Sequence, residues 1–144
     1  KWKIFVRLHP NIKDRNDLIP QSDIVENVSD YPDMQELMAA CDMLITDYSS
    51  TMLESLLINK KVVLYANDIE NYSKERGYYF KFEELPFPLA QNNDQLNDIL
   101  SKDYDMKKYS SFYNKLGIIE DYNSIEKIHK LIVDKCRERK EENE

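Results

Sequence analysis

Apolar positions in this chain fall into two patterns, short continuous runs and stripes at helical spacing. Ile4, Phe5, Val6 and Leu8 form a run of strand formers closed by His9, Pro10 and Asn11. Residues 11–22 are polar and carry Pro20, predicting a loop or a short helix, and residues 24–28 read as a weaker second strand. Asp33 and Glu36 make a capping-box arrangement, and Met34, Leu37, Met38 and Cys41 follow as one helical stripe. Residues 43–46 are continuously apolar, as in a strand covered on both faces. Asp47, Tyr48, Ser49 and Ser50 break that run before a helix with Met52, Leu53, Leu56 and Leu57 on its inner face. Residues 62–65 form another buried strand. Residues 66–92 read as irregular, with one turn of helix near 69–74, Gly77, Pro86, Pro88 and many aromatics. Helices are expected at 93–101, 105–116 and 124–139, the last with Ile125, Ile128, Ile132, Val133 and Cys136 in a stripe.

Strands alternating with helices predict the α/β class, with a Rossmann-like parallel sheet flanked by helices. Ligands in such sheets bind outside the carboxyl ends of the strands. That rule selects His9, the segment 47–51 and the loop after Tyr65.

A length of 144 residues suits one core, placed at 1–134, with a charged, frayed or solvated tail at 135–144. The chain opens on Lys1, Trp2 and Lys3, already running into a strand, so it is expected to be a piece of a longer protein. A net charge of −7 argues against nucleic acid as the main partner, because a phosphate backbone needs a basic face. It leaves room for a small phosphorylated ligand, which needs only a few donors. Cys41 and Cys136 sit in apolar helical patterns without metal-binding spacing and are expected to be buried, reduced thiols. No signal peptide is visible, nor a run of about 18 apolar residues that could span a bilayer. No metal or cofactor is called for.

The candidate chemistry centres on the turn at 47–51. A helix start offers free amides and a partial positive charge, and Ser49, Ser50 and Thr51 could add hydroxyl donors to a pyrophosphate. The chain has only two glycines, so no glycine-rich phosphate loop is available. The same residues are ordinary helix caps, and Thr51 with Glu54 is itself a capping box. Glu54 can hold ribose hydroxyls or simply face solvent near the helix start. His9, pressed into an extended conformation by Pro10, can meet a phosphate, move a proton, or serve as a structural histidine. Arg7 is placed on the same side of the strand. Arg76 could grip a phosphate and Asp68 lies in the same irregular segment, where aromatics could stack on a base or simply pack. His129 reads as packed or at the edge of its helix.

Arg7 to Asn11, then 42–50, 62–65, Asp68, Tyr72 and 75–80 occur in an order that resembles the CDP-glycerol glycerophosphotransferase family. Its members are teichoic acid primases and polymerases and their capsule-building relatives. The resemblance covers roughly residues 4–100. It implies the C-terminal, donor-binding half of a GT-B fold. It implies His9 as a catalytic or phosphate-contacting residue and Ser49, Ser50 and Thr51 as the pyrophosphate cradle; Asp47, at the same strand end, stands as a further candidate. It implies a CDP-glycerol or similar CDP-polyol donor, a lipid-linked polymer acceptor, release of CMP, and location at the cytoplasmic face of the membrane. A missing N-terminal acceptor domain would supply a second histidine, without which this piece is expected to be inactive. Glu54 stands where the family more often has Asp. Pro86, Phe87 and Pro88 stand where teichoic acid polymerases tend to carry Pro-Gly-Pro, which leans toward capsule-type members.

Three rivals remain open from sequence. A GT-B glycosyltransferase or epimerase would use another nucleotide-sugar donor. A binding domain would keep the fold without catalysis. A receiver domain would use Asp47 as phospho-acceptor, but the acidic pair and lysine it needs are poorly supplied.

Overall fold

Val62, Val63 and Leu64 have no exposed surface, and this fixes the centre of the fold. The computed structural model describes residues 2–75, 77, 79–118 and 122–141. The chain divides into two compact units, Lys1–Met106 and Lys107–Glu144.

In the first unit, β1 (Ile4–Val6) pairs in parallel with β2 (Val25–Asn27), Ile4 opposite Val25. β3 (Met43–Thr46), β4 (Lys61–Tyr65) and β5 (Leu89–Ala90) form a second parallel sheet with β4 central. Met43 faces Lys61 and Leu64 faces Leu89 in its register. The expected parallel strands are present, but as two sheets of two and three strands rather than one. β4 is central and its successive residues 62–64 are buried on both faces, which is why its sequence does not alternate. The hydroxyl of Tyr104 takes over where β5 has not yet begun, accepting the amide of Val62 at 3.1 Å and donating to its carbonyl.

Between the strands run α1 (Met34–Ala40), α2 (Thr51–Leu57) and α3 (Ile69–Glu75), with α4 (Asn93–Leu100) after β5. Asp33 caps α1 by accepting the amide of Glu36 at 2.9 Å. The reciprocal half of that box is absent, because the Glu36 carboxylate accepts the Tyr31 hydroxyl at 2.8 Å. This hydrogen bond, reinforced by the charge of Glu36, raises the pKa of Tyr31 above its ordinary value. At the other end of α1, the Lys60 ammonium donates to the carbonyls of Ala39 and Cys41.

α2 ends in a Schellman turn. Asn59 adopts φ 50°, its amide donates to Leu56 O at 3.1 Å, and the Lys60 amide reaches back to Ser55 O at 3.0 Å. Ser55 is fully buried and donates to Thr51 O at 2.9 Å, with its hydroxyl 3.5 Å from the Met38 sulfur. A small residue there lets α1 and α2 approach. The segment expected to be irregular holds α3, a 3-10 turn at Phe82–Glu84 and β5.

The second unit contains α5 (Lys107–Lys115), which buries Tyr109 and Phe112, and α6 (Ser124–Glu141). α6 continues through residues 135–141 of the charged segment. Ile125, Ile128, Leu131 and Ile132 are exposed, as are His129 and Cys136. The expectation of two buried thiols is therefore corrected: Cys41 is half-buried and Cys136 exposed, because the apolar stripe that carries Cys136 is not covered. Among the described residues, no helix is long and apolar enough to cross a membrane.

Candidate functional site

Three loops leave the carboxyl ends of β1, β3 and β4, and each carries predicted residues. After β1, the Arg7 guanidinium donates to the carbonyls of Val28 (3.4 Å) and Tyr31. It ties the β1 exit to the segment beyond β2. His9 is exposed and caps the 3-10 turn Pro10–Ile12, its Nδ1 accepting the Asn11 amide at 3.2 Å. A neutral imidazole whose Nδ1 accepts must carry its proton on Nε2, so this ring presents an N–H donor.

After β3, the chain turns sharply into α2. The expected Thr51–Glu54 box does not form. Instead the Ser49 hydroxyl is the acceptor, taking the Thr51 amide at 3.4 Å and the Thr51 hydroxyl at 3.0 Å. Donation from Thr51 leaves the Ser49 proton free to point elsewhere and polarises it. Ser50 is exposed, and neither its hydroxyl nor the amides of Ser49 and Ser50 make a hydrogen bond among the described residues. The turn thus offers two hydroxyl and two amide donors at a helix start, the group set an anion needs. Asp47 is exposed and makes no hydrogen bond among the described residues. One oxygen of Glu54 accepts Gln35 Nε2 at 3.3 Å, which links α2 to α1.

After β4, Asp68 opens α3, its carbonyl accepting the amides of Asn71 and Tyr72 at 3.0 Å. Its carboxylate accepts the Tyr48 hydroxyl at 2.5 Å. The Tyr48 ring stacks on Tyr72, centroids 3.8 Å apart at 18°, and meets Phe82 edge-on at 6.0 Å and 69°. The structure therefore joins the β3 and β4 loops through four side chains. Asp68 was a sequence candidate; Tyr48, Tyr72 and Phe82 as its companions were not, because pairing across 20 positions leaves no local pattern. A concavity of about 400 Å³, lined by Ile69, Ser73, Lys74, Lys81 and Phe82 among others, adjoins this cluster through Phe82. Ser49 and Ser50 do not line it. Arg76 lies outside the described residues. Among the described residues, no group of His, Cys, Asp or Glu side chains is placed to hold a metal ion.

Comparison with known proteins meets this geometry. A family model described as CDP-Glycerol:Poly(glycerophosphate) glycerophosphotransferase matches residues 1–134. The chain belongs to that family. It is 34% identical over 134 residues to the teichoic acid glycerol-phosphate transferase of Staphylococcus aureus (strain NCTC 8325 / PS 47), a match covering 88% of this chain and 34% of the relative. It is 33% identical over 109 residues to the teichoic acid poly(ribitol-phosphate) polymerase of Bacillus spizizenii (strain ATCC 23059 / NRRL B-14472 / W23), covering 74% of this chain and 18% of the relative. The solved structure of the wall teichoic acid polymerase TagF matches with a TM-score of 0.75 at 28% identity, over 96% of this chain and 36% of TagF. A histidine variant of TagF soaked with CDPG matches with a TM-score of 0.74 at 30% identity, over 96% of this chain and 36% of that one. The chain thus spans 18% and 34% of the lengths of these two curated relatives. The α/β class with parallel sheets flanked by helices agrees with the likeness to TagF, a GT-B enzyme.

Proposed function

We propose that the protein to which this chain belongs transfers a polyol phosphate from a CDP-polyol donor, such as CDP-glycerol, to a lipid-linked teichoic acid or capsular polymer. It releases CMP and acts at the cytoplasmic face of the membrane. The observation that carries this reading is the set of free donors at Ser49 and Ser50, opening α2 at the carboxyl end of β3. Family membership supports it, and so do the relatives' names, which cover both glycerol phosphate and ribitol phosphate chemistry.

In this reading the acceptor hydroxyl attacks the phosphorus that carries the polyol and gives up its proton to solvent. The anhydride bond to CMP breaks, and negative charge grows on the departing phosphate. The amides and hydroxyls of the 49–51 turn meet that charge with dipoles already in place, which is electrostatic stabilisation. His9 contributes its Nε2–H to a phosphate oxygen, since its other nitrogen is engaged by Asn11. Arg76 belongs to the same donor set in this reading. Glu54 keeps one oxygen for a ribose hydroxyl while Gln35 holds the other. The acceptor and a second histidine belong to a further domain.

Calorimetric titration with CDP-glycerol and CDP-ribitol, against CMP, UMP and a UDP-sugar, tests the proposal. Binding of a CDP-polyol in preference to the UDP-sugar supports it. Preference for the UDP-sugar would move the protein to another donor class.

A further inference from the structure

We infer that Tyr48 is a positioning residue for the donor site, clasped by Asp68, Tyr72 and Phe82 so that the turn it precedes holds its donors on one target. The inference rests on reading 49–51 as the diphosphate cradle.

The residue before Ser49 decides where the Ser49 amide points, because its carbonyl and that amide share one planar peptide unit. At a half-buried helix start, that direction is set by whatever holds residue 48. Here contacts with several side chains hold it at once. Its ring stacks on Tyr72, meets Phe82 edge-on, and its hydroxyl is fixed by Asp68. Asp68 and Tyr72 both belong to the start of α3, where the Tyr72 amide donates to the Asp68 carbonyl at 3.0 Å. The clasp therefore references the β3 turn to the loop that follows β4, and the two loops move as one.

Simple packing accounts for stacked rings, but not for the hydroxyl. A tyrosine hydroxyl bound to a solvent-accessible carboxylate adds little to burial. It adds direction, because a charge-assisted bond fixes the ring's tilt as well as its plane. Supporting contacts of this kind hold binding groups within the narrow geometry that affinity requires.

The test is a double-mutant cycle in the full-length protein, with CDP-glycerol as titrant. Tyr48→Phe keeps the ring and removes only the hydroxyl. It should weaken CDP-glycerol binding by about three- to tenfold, the worth of one hydrogen bond, with an unchanged melting temperature. If the hydroxyl acts by aiming Ser49, the same change made on top of Ser49→Ala should cost less than about twofold. Asp68→Asn, which retains an acceptor oxygen, should bind closer to wild type than Asp68→Ala. Full multiplication of the two effects in the double variant, or wild-type binding by both Tyr48→Phe and Asp68→Ala, overturns the inference while leaving the donor site standing. Failure of the wild-type protein to bind CDP-glycerol overturns both.

Discussion

The hydroxyl of Tyr104 closes the open side of Val62, accepting its amide and donating to its carbonyl. Val62 has no exposed surface, so water cannot replace this partner. Tyr104→Phe should therefore remove this partner from a buried amide and carbonyl and destabilise the protein by about 1–3 kcal/mol. Chemical denaturation should show a lower midpoint with an unchanged slope. An unchanged midpoint would mean that β4 finds another partner there.

Much of the fold was legible in the sequence for the reason that Val62 is buried. A central parallel strand is covered on both faces, so residues 62–65 are written as a continuous apolar run, which became β4. Residues 43–46 read the same way and became β3, but β3 lies at the edge of its sheet and Ile45 is exposed, which corrects the expectation of a strand covered on both faces. β5 escaped because it is only Leu89 and Ala90, too short for any period to register. α3 was seen only as a turn because none of its residues is buried, so it carries no apolar stripe. The site was legible where chemistry is local: the hydroxyl-rich step from strand to helix at 47–51. It was not legible where it depends on distant partners, as with Tyr48 and Asp68, or Gln35 and Glu54. The Thr51–Glu54 box fails because Ser49 is better placed to accept the Thr51 amide and Gln35 occupies Glu54.

Asn59 holds the left-handed turn that ends α2. Asn59→Val should cost about 1–2 kcal/mol, because a β-branched side chain clashes with its backbone at positive φ. Asn59→Gly should be neutral or slightly stabilising, since glycine is the preferred residue at this position. Thermal unfolding of both variants distinguishes this from a side-chain role for Asn59, in which case glycine would be as harmful as valine.

Ser55 sits fully buried on α2 against the Met38 sulfur. Ser55→Leu should overpack this contact and destabilise by about 1–3 kcal/mol. Wild-type stability in that variant would show that α1 and α2 can separate freely.

His9 offers a donor rather than a base so long as Asn11 engages Nδ1. In the full-length protein, His9→Ala should lower turnover by about 10²–10³, the scale of a lost transition-state donor. His9→Gln, which retains a neutral N–H donor, should recover part of that loss. Equal loss in both variants would point to proton transfer by the imidazole.

The grip of the 49–51 turn on a diphosphate is most directly measured by titrating CDP-glycerol into wild type and a Ser49→Ala/Ser50→Ala variant of the full-length protein, with circular dichroism confirming that α2 persists. Removal of two hydroxyl donors to a charged group should weaken binding at least tenfold, about 1.4 kcal/mol or more. Equal affinity in the two proteins would contradict the account.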